Sequence, residues 1–136
     1  MKKILFVSLS LLFFTAAFAQ SDKYLTAMKA NVMAIDTAFK NPQSLLTLAA
    51  SFERIAEKEK NQWLPYYWAA FCQVNYTYMI EDKTKTDPIA DKAEQLLNKA
   101  DSLQPDNSEI SCVYSMIASA RMLVDPMTRY MQYGMK

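Results

Sequence analysis

Apolar residues recur three and four positions apart along most of the chain, which is the spacing of a helical face rather than of a strand. Leu25, Met28, Val32, Ile35 and Phe39 line one such face, and Ser21 or Asp22 can cap it. Asn41-Pro42 then pairs a capping side chain with a proline at the first helical position, which predicts a second helix. Its apolar positions are Leu45, Leu48, Ala49, Phe52, Ile55 and Ala56, and it ends in the charge run Glu57-Lys58-Glu59-Lys60, a solvated terminus. A third helix is predicted from about Pro65 to Glu81. It is apolar nearly all round, so it is either packed from several sides or partly exposed for binding. Asp87-Pro88 repeats the start signal for a fourth helix carrying Ile89, Ala93, Leu96, Leu97, Ala100 and Leu103. The turn Gln104-Pro105-Asp106-Asn107 leads to a fifth, with Ile110, Val113, Tyr114, Ile117, Ala118 and Met122, capped by Asn107 or Ser108. Asp125-Pro126 opens a sixth. The pattern defines an all-α chain, and a single glycine, Gly134, agrees with it, because tight β-hairpins need residues at positive φ.

The first nineteen residues follow a different logic. Lys2 and Lys3 precede the apolar stretch Ile4 to Phe14, and Ala17-Phe18-Ala19 is a small-x-small cleavage signal. This predicts a signal peptide over residues 1–19, cleavage between Ala19 and Gln20, and a periplasmic protein consisting of one helical domain over residues 20–136. The apolar stretch is too short for a comfortable membrane span, and the tyrosines, Gln73, Asn75 and Thr77 of the third helix argue against a span there. Cys72 and Cys112 fall inside apolar helical runs, so both are expected as buried, unpaired thiols.

Composition removes most catalytic classes. The chain has no histidine, so Ser-His-Asp and Cys-His arrangements and the usual zinc ligand sets cannot form. One glycine cannot build a phosphate-cradling loop. A formal net charge of +1 gives no long-range field for nucleic acid or an anionic membrane. Asp87, Asp91 and Glu94 form an acidic stripe, yet they lie in the first turns of a predicted helix, where negative charge meets the positive end of the dipole. No metal site, cofactor or enzyme activity is expected.

Asn41-Pro42, Asp87-Pro88 and Asp125-Pro126 recur at roughly 40-residue intervals, each opening a helix after another amphipathic one. Helix pairs repeating in this way predict a solenoid, in which each pair covers its neighbour's apolar face. Within it, Ala93, Leu97, Ala100 and Pro105, followed by Asp106-Asn107, resemble the second helix and closing turn of a tetratricopeptide repeat. Tyr66 or Tyr67 ahead of Ala69-Ala70 holds the place of the first helix, and Ser115 the corresponding small position in the fifth. Ala70 and Ala93 lie further apart than the family's spacing, which implies an overlong first helix or an inserted linker.

The resemblance implies antiparallel helix pairs stacked as a short α-solenoid, whose first helices line a concave surface that takes up peptide segments. The groove residues would be Tyr67, Phe71, Asn75 and Tyr78 from the third helix, facing Glu109 and Met116 from the fifth. On that basis the chain is a non-catalytic protein- or peptide-binding scaffold with an unidentified partner. A small exported hydrolase or a carbohydrate-binding accessory protein, using Trp63 or Trp68, is the alternative. The sixth helix is short, and Met127, Tyr130, Met131, Tyr133 and Met135 make it a poor polar cap. The domain is therefore expected to be incomplete at its C-terminus and to self-associate through its last helices.

Overall fold

The computed structural model describes residues 22–134. The expected signal segment and its expected cleavage site lie outside the described residues. Every regular element described is helical: α1 over residues 22–33, α2 (Ile35–Ala38), α3 (Pro42–Lys58), α4 (Trp63–Met79), a short 3₁₀ turn (Lys83–Lys85), α5 (Thr86–Leu103), α6 (Ser108–Met122) and α7 (Pro126–Tyr133).

The first apolar face is divided between two helices. Ala34 N–H donates to the Asn31 carbonyl three residues back, and this tighter turn separates α1 from α2. Met28, Ile35 and Ala38 are buried, whereas Leu25, expected on the same face, is exposed. Starts set by local chemistry form as predicted. Asn41 Oδ1 accepts from Gln43 N–H at 3.0 Å, with Pro42 next in line, and Asn107 Oδ1 accepts from Glu109 N–H at 2.9 Å. The turn before α6 puts Asp106 at φ 59°, a left-handed conformation that Asp tolerates.

α5 departs from its expected start. It begins at Thr86, continuing directly from the 3₁₀ turn, with Lys85 rather than Asp87 in the cap position. Asp82 caps the 3₁₀ turn instead, accepting from Thr84 N–H at 3.1 Å, and this turn connects α4 to α5. The Asp87 carboxylate is engaged elsewhere: Arg129 of α7 grips it through two nitrogens at 2.7 and 2.9 Å. Arg121 of α6 reaches Asp91 at 2.6 Å and Glu94 at 2.8 Å. The acidic stripe is thus an ion-pair seam that ties α6 and α7 to α5. Arg129 holds the Asp87 carboxyl below the usual carboxylate range, chiefly through this hydrogen bond.

α4 runs from Trp63 rather than Pro65 and ends at Met79. Pro65 is tolerated in its first turn, where backbone N–H groups have no helical partner. The helix is apolar on all sides because it is packed on several: it touches α3, α5 and α6. Five alanines on these helices, Ala69 and Ala70 on α4 and Ala90, Ala93 and Ala100 on α5, are fully buried. One core cluster joins Tyr67, Ala70 and Val74 to Leu97, Ile110, Val113 and Ile117. The other joins Met28, Leu45, Ala49 and Phe52 to Ala69 and Cys72. Trp68, Phe71 and Leu96 pack against both. α7 lies on α6, with the Tyr133 ring 6.0 Å from the Arg121 guanidinium, while Met127, Tyr130 and Met131 face outward. Among the described residues no helix is long and apolar enough to cross a membrane.

Candidate functional site

The expected groove residues lie along α4 and α6, and the structure joins some of them. Tyr67 and Phe71 stack at a centroid separation of 6.3 Å. Tyr78 donates from its hydroxyl to the Met116 carbonyl at 2.6 Å, linking the two helices directly. Asn75 directs its amide to the Phe71 carbonyl of its own helix at 2.7 Å. Glu109 is exposed at the start of α6, close enough to Tyr67 that, after burial, its charge is the next cause raising that phenol's pKa.

This face is not the open aromatic surface that the sequence predicts. Tyr67 is only 9% exposed and belongs to the core. Its ring meets Trp63 at 5.7 Å and Trp68 at 5.1 Å, both edge-on. Phe39 at the end of α2 packs edge-on against Phe71 at 6.4 Å, and Trp68 stacks on Phe52 at 6.3 Å. Trp63 and Trp68 are partly buried against the core as well. The aromatic line is therefore mainly interior packing, with Tyr78 as its accessible end.

The two thiols differ. Cys72 is buried and burial pushes its pKa up to about 12, whereas Cys112, expected inside, is exposed on α6. A disulfide reagent at neutral pH should therefore titrate one thiol rapidly and the second only after denaturation. Two thiols reacting at the same fast rate would show that the core around Cys72 opens freely.

A second surface escaped the sequence reading. Two adjoining hollows, of about 390 and 610 Å³, run along the junction of α1 and α3 and share Asn31, Ser51 and Arg54 in their walls. Both fall in the size range of small-molecule sites, roughly 300–1,000 Å³. On α3 the wall is a polar stripe at helical spacing, Ser44, Thr47, Ser51, Arg54 and Lys58. α1 contributes Lys23, Tyr24 and Asn31. The Tyr24 hydroxyl is buried and has no hydrogen-bond partner among the described residues. Burial, and then Glu59, raises its pKa. Arg54 makes no ion pair or hydrogen bond among the described residues, in contrast to Arg121 and Arg129.

Among the described residues, the fold and these surfaces combine an all-helical scaffold with an aromatic interior seam and an open, basic groove. No protein-family model matches the chain, and no curated protein sequence matches it either. Among solved structures it is similar to the HusA haemophore from Porphyromonas gingivalis, with a TM-score of 0.73 and 40% sequence identity over 82% of this chain and 53% of that one. The chain thus spans about half the length of this neighbour.

Proposed function

We propose that this chain is an exported, non-catalytic binding protein whose ligand is a haem-type tetrapyrrole. The observation that carries this reading is the similarity to a haemophore at 40% identity over most of the described helices. The pairing of helices supports a short tetratricopeptide-like stack as the scaffold, with α1 and α2 against α3, α4 against α5, and α6 against α7. α4 touches α6 across successive pairs, as first helices do in such stacks. A peptide-binding role gains less support, because Tyr67 and Phe71, which it would need in the open, are engaged in packing. With no histidine in the chain, a tetrapyrrole would be held by apolar contact, by charge on its carboxylates and, at iron, by a tyrosine, methionine or thiolate donor.

Titrating ferric haem into the purified chain tests this reading. A saturable shift of the Soret band, with parallel quenching of Trp63 and Trp68 fluorescence, is the expected result. An unshifted Soret band with unchanged fluorescence at micromolar concentrations would overturn it.

A further inference from the structure

We propose that the groove between α1 and α3 is the place where the tetrapyrrole carboxylates are bound, with Arg54 and Lys58 as their ion-pair partners and Tyr24 donating a hydrogen bond to the ligand. This inference rests on the tetrapyrrole reading above and assigns it a site.

Charge argues first. Lys23, Arg54 and Lys58 stand against a single acidic residue, Glu59, in the wall of the larger hollow, so the groove is complementary to a ligand bearing two carboxylates. Arg54 and Lys58 are one helical turn apart on α3 and so present their charges on the same side. Neither has an ion-pair partner among the described residues, so a carboxylate would displace nothing but water. The arginines of the C-terminal helices are already committed to Asp87, Asp91 and Glu94, leaving Arg54 as the arginine free for a bidentate contact.

The unpartnered hydroxyl argues second. A buried polar group with no partner carries an uncompensated desolvation penalty, and Tyr24 has such a group, with no partner among the described residues, in a side chain that lines the groove. A ligand atom that accepts its proton would remove that penalty. Shape argues third. The hollows share Asn31, Ser51 and Arg54 in their walls, and small side chains, Ala27, Ala34 and Ser44, line them.

The test compares haemin with its dimethyl ester, which lacks free carboxylates, on the wild-type chain, on Arg54→Ala/Lys58→Ala and on Tyr24→Phe. A control double, Tyr78→Phe/Met116→Ala, alters the α4–α6 face. Both groove side chains altered in the double are solvent-facing, so circular dichroism should report an unchanged fold. The expected result is haemin binding weakened about tenfold or more in Arg54→Ala/Lys58→Ala, ester binding little changed, and the control double at wild-type affinity. Tyr24→Phe should weaken haemin binding while leaving the melting temperature unchanged or raised, because an unsatisfied hydroxyl is removed. Haemin bound equally well by wild type and the groove double, or lost only in the control double, would overturn the site while leaving the tetrapyrrole reading intact. A wild-type chain that binds no haemin would overturn that reading, and the site with it.

Discussion

Alanine at both Tyr67 and Phe71 is expected to destabilise the whole fold severely rather than simply to erase a binding surface. Truncating a buried aromatic ring costs about 3–5 kcal/mol, and a domain of this size has about 5–15 kcal/mol in total. Tyr67 sits in the core cluster with Val74, Leu97 and Ile110, and its ring touches those of Trp63, Trp68 and Phe71. Phe71 is partly buried, but it packs on both core clusters and also holds Phe39, so its loss adds to that of Tyr67. The pair are in ring contact, so the two effects need not sum. A fall in melting temperature of about 15 °C or more follows from these magnitudes, read by circular dichroism. The conservative pair Tyr67→Phe and Phe71→Leu should retain most of the stability. A double alanine variant that melts like wild type would return both rings to an open groove.

The sequence supports a different expectation for those rings, and the reason is physical. An amphipathic helix declares its buried side through its pattern, as α3 does with Leu45, Leu48, Ala49 and Phe52. α4 is apolar on every side, so its pattern says that it is central without saying which side meets which neighbour. Only α3, α5 and α6 closing around it decide that Tyr67 is inside and Tyr78 is at the edge.

Local signals were the legible ones. Asn41, Asn107 and Asp125 cap their helices through bonds to residues two or three positions on, and nothing distant can displace those contacts. By sequence Asp87, followed by Pro88, belongs to the same set. Its fate was set by Arg129, which lies 42 residues away in sequence, and by a 3₁₀ turn that had already started the helix. The apolar neighbours of Cys112 in sequence place it inside. Yet it belongs to the side of α6 that carries Glu109, not the side of Ile110, Val113 and Ile117. The groove was legible in principle. Ser44, Thr47, Ser51, Arg54 and Lys58 repeat at the same spacing as the apolar face of α3, and a continuous polar stripe beside α1 is a wall as readily as a solvated side. What the sequence could not supply was the facing helix, and with it the unpartnered hydroxyl of Tyr24.

Phe52→Ala should produce a comparable loss in the other half of the molecule, and the form of its melting curve tests how the halves are joined. Phe52 is fully buried, stacks on Trp68 at 6.3 Å and lies in the cluster with Leu45, Ala49 and Cys72. No polar contact compensates for its removal, so about 3–5 kcal/mol is expected, with a cavity left beside Trp68. Phe52→Leu keeps most of the volume and should cost well under half as much. In a stack of helix pairs, each pair is stabilised through its neighbours, so damage at one interface spreads only as far as the coupling allows. Here the coupling is concrete: Trp68, Phe71 and Leu96 pack on both clusters, and Tyr66 donates from its hydroxyl to the Ala56 carbonyl across α3 and α4 at 3.2 Å. Tryptophan fluorescence, which reports the α4 environment of Trp63 and Trp68, should therefore lose its native signal at the same denaturant midpoint as the helical signal of the whole chain. In Phe52→Ala the two midpoints should fall together. Separation of the curves, with part of the helical signal surviving the fluorescence change, would mean that α5 to α7 hold together without α3 and that the shared aromatics do not bind the clusters into one cooperative unit.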